Sequence, residues 1–343
     1  MNQSFSVAPV ALLLLAGPSP AQDQATTLSA AARSCPIVVR AIVQAASDPS
    51  PEWHRLQFET IEVLKGSLGA AFVLLEPSGA CCGRSLFALQ PGDACLLFLV
   101  HRGAALHAFG GARGVLQDVP AVTAHVRALL TAPSDAALAS LLAANLMHPE
   151  TRVADDAAQA LAVLPTLVLA SSARALLVTA LQDATQRGVT RAAPLVEAAV
   201  RLQDEALLDE LLPVYLDANR ADQAALLRKG LARCNAAEVA HRLPMHIGTM
   251  PAGPVQASND EQRAVRAAEL LTALPAADAG GALAAMLRAN SNPRVQLRLA
   301  EGLLAAGMNG AQLASMVPTP VLTLAQRRLD HARPFRSIDP ARR

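Results

Sequence analysis

Aromatic residues are scarce in this chain. They make up 3% of 343 residues, with one tryptophan and one tyrosine. A single thick core is therefore excluded, and thin helix–helix contacts are favoured. Lysine is nearly absent, occurring only as Lys65 and Lys229. Neither sign of charge is in excess: 29 basic residues face 28 acidic ones, for a formal net charge of +1. That balance supplies no long-range field for nucleic acid or an anionic membrane, so neither is expected as a partner. The arginines are scattered and read as compositional bias. The apolar run Val7 to Gly17 is about half the ~20 residues of a spanning helix, so no transmembrane anchor is expected. The nucleophile elbow G-x-S-x-G, H-E-x-x-H, the Walker loop and G-x-G-x-x-G are all missing. No catalytic, cofactor-binding or metal-ligating set is therefore named, and the expectation is a protein that is not an enzyme.

What is present begins with a leader. Leu12, Leu13, Leu14 and Leu15 precede Pro18, Ser19, Pro20 and Ala21, small or turn-forming residues that suit signal peptidase. Residues 1–21 are expected to be a signal peptide, with Gln22 as the mature start, although the n-region lacks Lys and Arg. The alternative is a buried apolar helix. No cysteine stands at the cleavage site, so no lipoprotein anchor is indicated. The expected location is secreted or periplasmic.

Cysteine usage agrees with export. Cys35, Cys81, Cys82 and Cys95 fall within about 60 residues, while Cys234 stands apart. In an exported protein such a group reads as disulfides, and the adjacent pair has the wrong spacing for zinc. Three pairings are open. Adjacent Cys81 and Cys82 bond each other only through a strained ring, so at least one is expected to bond outward, and Cys35 with Cys82 is the favoured pairing. Cys234 is expected to remain a thiol.

After a polar, alanine-rich lead-in over 22–34, residues 35–131 read as a small all-β barrel. Strands are expected at Pro36–Val43, Trp53–Lys65, Phe72–Leu75 and Ala94–His101, with a fifth over Ala105–Phe109 and Gly114–Leu116. Within Trp53–Lys65, Leu56 and Phe58 lie in one phase and Ile61 and Val63 in the other, which predicts a β-bulge. Gly110-Gly111-Ala112-Arg113-Gly114 lies between strands, so it reads as a hairpin loop or bulge and not as a phosphate loop before a helix. Val38, Val39, Arg40 and Ala41, then Val63, Lys65 and Gly66, then Cys82 and Gly83, then Gly92, Leu96, Phe98 and Leu99 together resemble the OB-fold module of tissue inhibitors of metalloproteinases (TIMPs) and netrins. The resemblance implies a closed five-stranded barrel and, taken literally, metalloprotease inhibition. In that family a cysteine begins the mature chain and chelates the target's zinc. Here the first cysteine follows Gln22 by 13 residues, so that wedge is missing.

Residues 132–332 read as helical, and 333–343 as a tail. Ser134 is placed to cap a helix bearing Leu138, Leu141, Leu142 and Leu146 on one face. A helix–turn–helix pattern then recurs, with second-helix landmarks at Val153, Val189, Leu227, Val265 and Val295. Leu161, Val265 and Leu303 are expected on the inner stripe, and Gln159 and Gln262 outside. The copies around His148-Pro149 and Asn292-Pro293 resemble HEAT repeats, which implies an all-α HEAT-like solenoid of about five units. An irregular all-α bundle is the alternative. Met250 to Ser258 reads as a loop within the array.

Polar clusters are few. His101 and His107 flank a turn. Cys234, His241 and His246 form a mixed group, with the hairpin turn expected at Ala236–Ala237. Asp155, Asp156, Asp204, Glu205, Asp209 and Glu210 read as solvated helix faces. The expectation is thus a non-catalytic, extracytoplasmic binding or scaffolding protein for a protein or peptide partner, with the solenoid offering an extended concave face. The alternatives, both implied by resemblance, are a TIMP-like inhibitor and a lyase-type enzyme of the bilin-lyase kind.

Overall fold

The computed structural model describes residues 27–50, 53–77, 89–103, 105–202, 204–218, 220–247 and 258–332. The expected signal peptide, Cys81, Cys82, most of the loop before Ser258 and the tail from 333 lie outside them. The chain divides into two compact units between Leu130 and Thr131.

The first unit is a curled antiparallel sheet. Its strands are β1 (Ile37–Ser50), β2 (Trp53–Lys65), β3 (Ala71–Pro77), β4 (Ala94–Arg102), β5 (Ala105–Ala108) and β6 (Val115–Gln117). Their order is β3-β2-β1-β4-β5, and β3 comes close to β5. The expected fifth strand is in fact two, separated by a 3-10 turn over Gly111–Gly114. β5 pairs with Leu99–Arg102 and β6 with Cys95–Leu97. The predicted bulge is present: Arg40 opposes Glu62 but Ala41 opposes Thr60, so Ile61 is the extra residue. Ile61 is 44% exposed, and the slip lets both Phe58 and Val63 face the core. That core gathers Val39, Val43, Leu56, Phe58, Phe72, Leu74, Leu97 and Leu99 in one cluster. Phe58 stacks on Phe72 with ring centroids 5.1 Å apart.

Part of the expected lead-in is a helix, α1 (Leu28–Ser34). The Ala30 N–H donates to Thr27 Oγ1 at 2.9 Å, which caps its start. Leu28, Ala31 and Ala32 are buried, and Lys65 Nζ donates to the carbonyls of Ala32 and Arg33 at its end. A second helix, α2 (Pro120–Thr131), follows β6.

The second unit is all-α. Its helices are α3 (Asp135–Asn145), α4 (Thr151–Val163), α5 (Ser171–Arg187), α6 (Ala192–Arg201), α7 (Glu205–Leu216), α8 (Ala221–Leu231), α9 (Ala236–Ile247), α10 (Ser258–Ala273), α11 (Ala276–Ala289), α12 (Pro293–Ala305), α13 (Gly310–Ala314) and α14 (Thr319–Ala332). Odd-numbered helices from α3 to α11 neighbour one another in one series, and even-numbered helices from α4 to α14 in another. Successive helices also touch as hairpins, giving a solenoid-like two-layer stack. None of the helices among the described residues is long and apolar enough to cross a membrane.

Three landmarks, Val153, Leu227 and Val295, sit buried in second helices as expected. Val189 does not. α5 runs for 17 residues to Arg187 and ends on left-handed Gly188, so Val189 lies in the turn. α6 then begins at Ala192, which puts Pro194 in its first turn, where a missing N–H costs no helical bond. Leu161 and Leu303 face inward, whereas Val265 is only half-buried; Ala264, Ala267, Ala268 and Leu271 face the interior instead. Gly230 of α8 has a packing reason, since a Cβ there would meet Val196 Cγ1 of α6 at 2.5 Å. A Cβ on Gly302 of α12 would come closer still to Thr272 of α10.

Candidate functional site

The expected cysteine framework meets a fixed register. Cys35 and Cys95 are both fully buried free thiols. The Cys35 thiol donates to Leu99 O at 2.9 Å, whereas Cys95 opposes Ala41 further along the sheet. Leu99 and Cys95 are four residues apart on β4, about 13 Å at ~3.3 Å per residue. That exceeds the ~7 Å limit on Cα separation for a disulfide, so Cys35 and Cys95 cannot bond each other. Burial raises both thiols, Cys95 to about 11.

The histidine pair does not converge. His101 opposes Leu106 and His107 opposes Val100, so the two rings project to opposite sheet faces. Cys234, His241 and His246 do not assemble either. The turn falls at 232–235, ahead of the expected Ala236–Ala237, because Asn235 caps α9 through the Ala237 N–H. His246 instead meets Asp209 of α7 at 3.2 Å, beside the Arg242–Asp209 ion pair. Among the described residues no group of three or more His, Cys, Asp or Glu has metal-site geometry. The solvated-face reading fails for Asp156, which is 5% exposed in α4. Asp204 caps α7 and pairs with Arg174, and Asp155 lies 3.7 Å from Arg191.

Arginine supplies what the sequence reading missed. Ion pairs join many helices to the next in their own layer: Arg174 with Asp204, Arg233 with Glu197, Arg242 with Asp209, Arg228 with Glu269, Arg294 with Glu261 and Arg328 with Glu301. Each exposed pair contributes about 0–1 kcal/mol. Two other arginines do more, by donating to carbonyls that a helix C-terminus leaves unpaired. Arg201 of α6 reaches the carbonyls of Ala162 and Leu164 at the end of α4. Arg266 of α10, 7% exposed, donates to Tyr215 O and Leu216 O at the end of α7 at 3.3 and 2.6 Å. The Tyr215 hydroxyl returns a bond to Arg266 O at 2.7 Å. Burial pulls the Arg266 guanidinium down and the Tyr215 phenol up from their ordinary values. Little in the sequence marks either role: Arg201 shares α6 with Glu197, and Arg266 lies between Arg263 and Glu269.

The same device shapes one surface. The connection from α4 to α5, Leu164-Pro-Thr-Leu-Val-Leu-Ala170, is apolar. Arg201 holds its first carbonyls, and Arg174 Nε holds Leu169 O at 3.1 Å. Val168 within this pinned connection (66% exposed), Val163 at the end of α4 (68%) and Leu176 of α5 face solvent. In the first unit, Arg40 of β1 bonds Glu62 of β2 and Asp118, while Thr123 and Arg127 of α2 bond the same two carboxylates. This network ties α2 to the sheet.

No protein-family model, curated protein or solved structure matches the chain.

Proposed function

We propose that this chain is an exported, non-catalytic binding or scaffolding protein that uses its helical stack to hold a protein or peptide. The observation that carries this reading is the pinned apolar connection between α4 and α5. Two valines each more than 60% exposed, on a backbone fixed by Arg201 and Arg174, offer a contact surface that loses little entropy on binding. Export rests on the leader before Gln22. On this reading the first unit is an OB-type barrel of the TIMP and netrin kind. Its support is the five-strand antiparallel order, with the long β1 shared between β2 and β4. The second unit is of HEAT type, supported by its two layers of paired helices. The inhibitor alternative is disfavoured by Cys35, whose backbone N–H donates to Ala31 O within a helix end and is no free amine.

The test is affinity capture from the native envelope fraction with the mature protein and with a Val163→Asp/Val168→Asp variant. Both positions are exposed, so the variant should fold normally. A protein retained by the parent and lost from the variant is the expected result. Identical retention by both would remove the α4–α5 connection as the site, and a secreted protease as the prey would favour inhibition.

A further inference from the structure

We propose that Asn309–Gly310 is a self-modification site, gated by the helix it caps. The step needs only water. The Gly310 backbone nitrogen attacks Asn309 Cγ and gives up its proton as a C–N bond forms. The Cγ–Nδ2 bond breaks, ammonia leaves, and a succinimide remains. Water then opens either ring carbonyl to give aspartate or isoaspartate. Glycine is the least hindered residue at the attacking position, and Asn309 is exposed.

The fold holds this chemistry back. Asn309 is the N-cap of α13 with ψ at 153°, and its Oδ1 accepts the Gln312 N–H at 2.8 Å. Gln312 Oε1 in turn accepts the Asn309 N–H at 3.3 Å, completing a capping box. Ring closure requires the Asn309 side chain and its ψ to leave this arrangement, so α13 must open first. With five residues, α13 is the shortest helix among those described, and little local structure opposes its opening. Product identity matters at this position. Aspartate would still cap the helix. Isoaspartate adds a methylene to the main chain at the N-cap itself, so the Asn309–Gln312 capping box cannot keep its geometry. Its formation loosens the hairpin of α13 and α14.

The experiment incubates the full chain at mildly alkaline pH, in buffer and in concentrated urea, and follows acid formation at Asn309 by peptide mass spectrometry. Conversion should be slower in buffer than in urea. Gln312→Ala, at an exposed position, should speed it in buffer by roughly threefold or more, the scale of a lost cap, and leave the urea rate unchanged. Gly310→Ala, whose added methyl meets only the flexible end of Gln326, should slow it in both. Aged protein rich in isoaspartate should show faster hydrogen exchange across α14. Equal rates in buffer and urea, or no acceleration in Gln312→Ala, would overturn the gating. Unchanged exchange in α14 would overturn the structural consequence.

Discussion

The two units build their interiors from different apolar residues and in opposite ways. The sheet concentrates branched and aromatic side chains in one cluster around Phe58 and Phe72, where every member touches the same interior. The stack spreads alanine and leucine over many thin contacts, and joins them with arginines that donate to helix ends or pair across neighbours. In the sheet one side chain supports the whole; in the stack each supports only the hairpins beside it. The difference is accessible experimentally, because the single tryptophan, Trp53, lies in β2, whereas helical circular dichroism reports mainly the stack.

Phe58→Ala should give the largest effect, about 4 kcal/mol. It should lower the unfolding midpoint seen by Trp53 fluorescence and leave the helical transition in place. A joint shift of both signals would show that the units unfold as one. Arg266→Ala should cost about 3 kcal/mol, because it strands the Tyr215 and Leu216 carbonyls in a buried place. Its effect belongs to the helical transition alone, and Tyr215→Phe should cost about 1 kcal/mol there.

Arg40→Ala should remove about 2 kcal/mol from the sheet, since the side chain of its partner Asp118 is only 6% exposed. Acid supplies the complementary test. Burial works to raise the Asp118 carboxyl, but bonds from Arg40 and Thr123 outweigh it, and the net direction is down. Arg127 and Arg40 lower Glu62 likewise. Groups depressed in the folded state stabilise it above their unfolded values of 3.8 and 4.5, and that contribution is lost as pH falls through the folded values. Stability of the sheet should therefore drop on acidification below about pH 4, and less steeply in Arg40→Ala. The smallest effects are a pair of opposite sign. Gly281→Ala in α11 has open space around the new methyl and should stabilise the stack by about 0.5–1 kcal/mol. Gly230→Ala, pressed on Val196, should instead destabilise it by about 1 kcal/mol. Equal signs would mean that α6 and α8 have slack between them.

The legible parts of the fold were those with a local cause. Alternation and its slip located β2 and its bulge, and Ser134 and Asn292-Pro293 marked helix starts through their own side chains. The helix at Leu28–Ser34 was readable too, from Thr27 and the alanines, but its burial depends on the sheet beneath it. The misplaced parts depend on partners distant in sequence. Val189 was shifted by the length of α5, and the inward face of α10 is set by what α7 and α12 present to it. Arg201 and Arg266 looked scattered because each reaches back 36 to 51 residues to a helix end. No repeat motif records such a reach, so the connection pinned by Arg201 and Arg174 had no sequence signature beyond its apolar composition.

The pairing of β1 with β4 carries a kinetic consequence. Ile37 must find Leu99, and the chain between them has to be closed into a large loop before the central contact of the sheet exists. In the helical unit nearly every contact is made with the next helix or the one after. The stack can therefore assemble piecewise from either end, in the fast regime of proteins rich in local contacts, whereas the sheet must wait for its distant partners. During refolding, helical signal should return first and the Trp53 environment last, although Trp53 lies earlier in the chain.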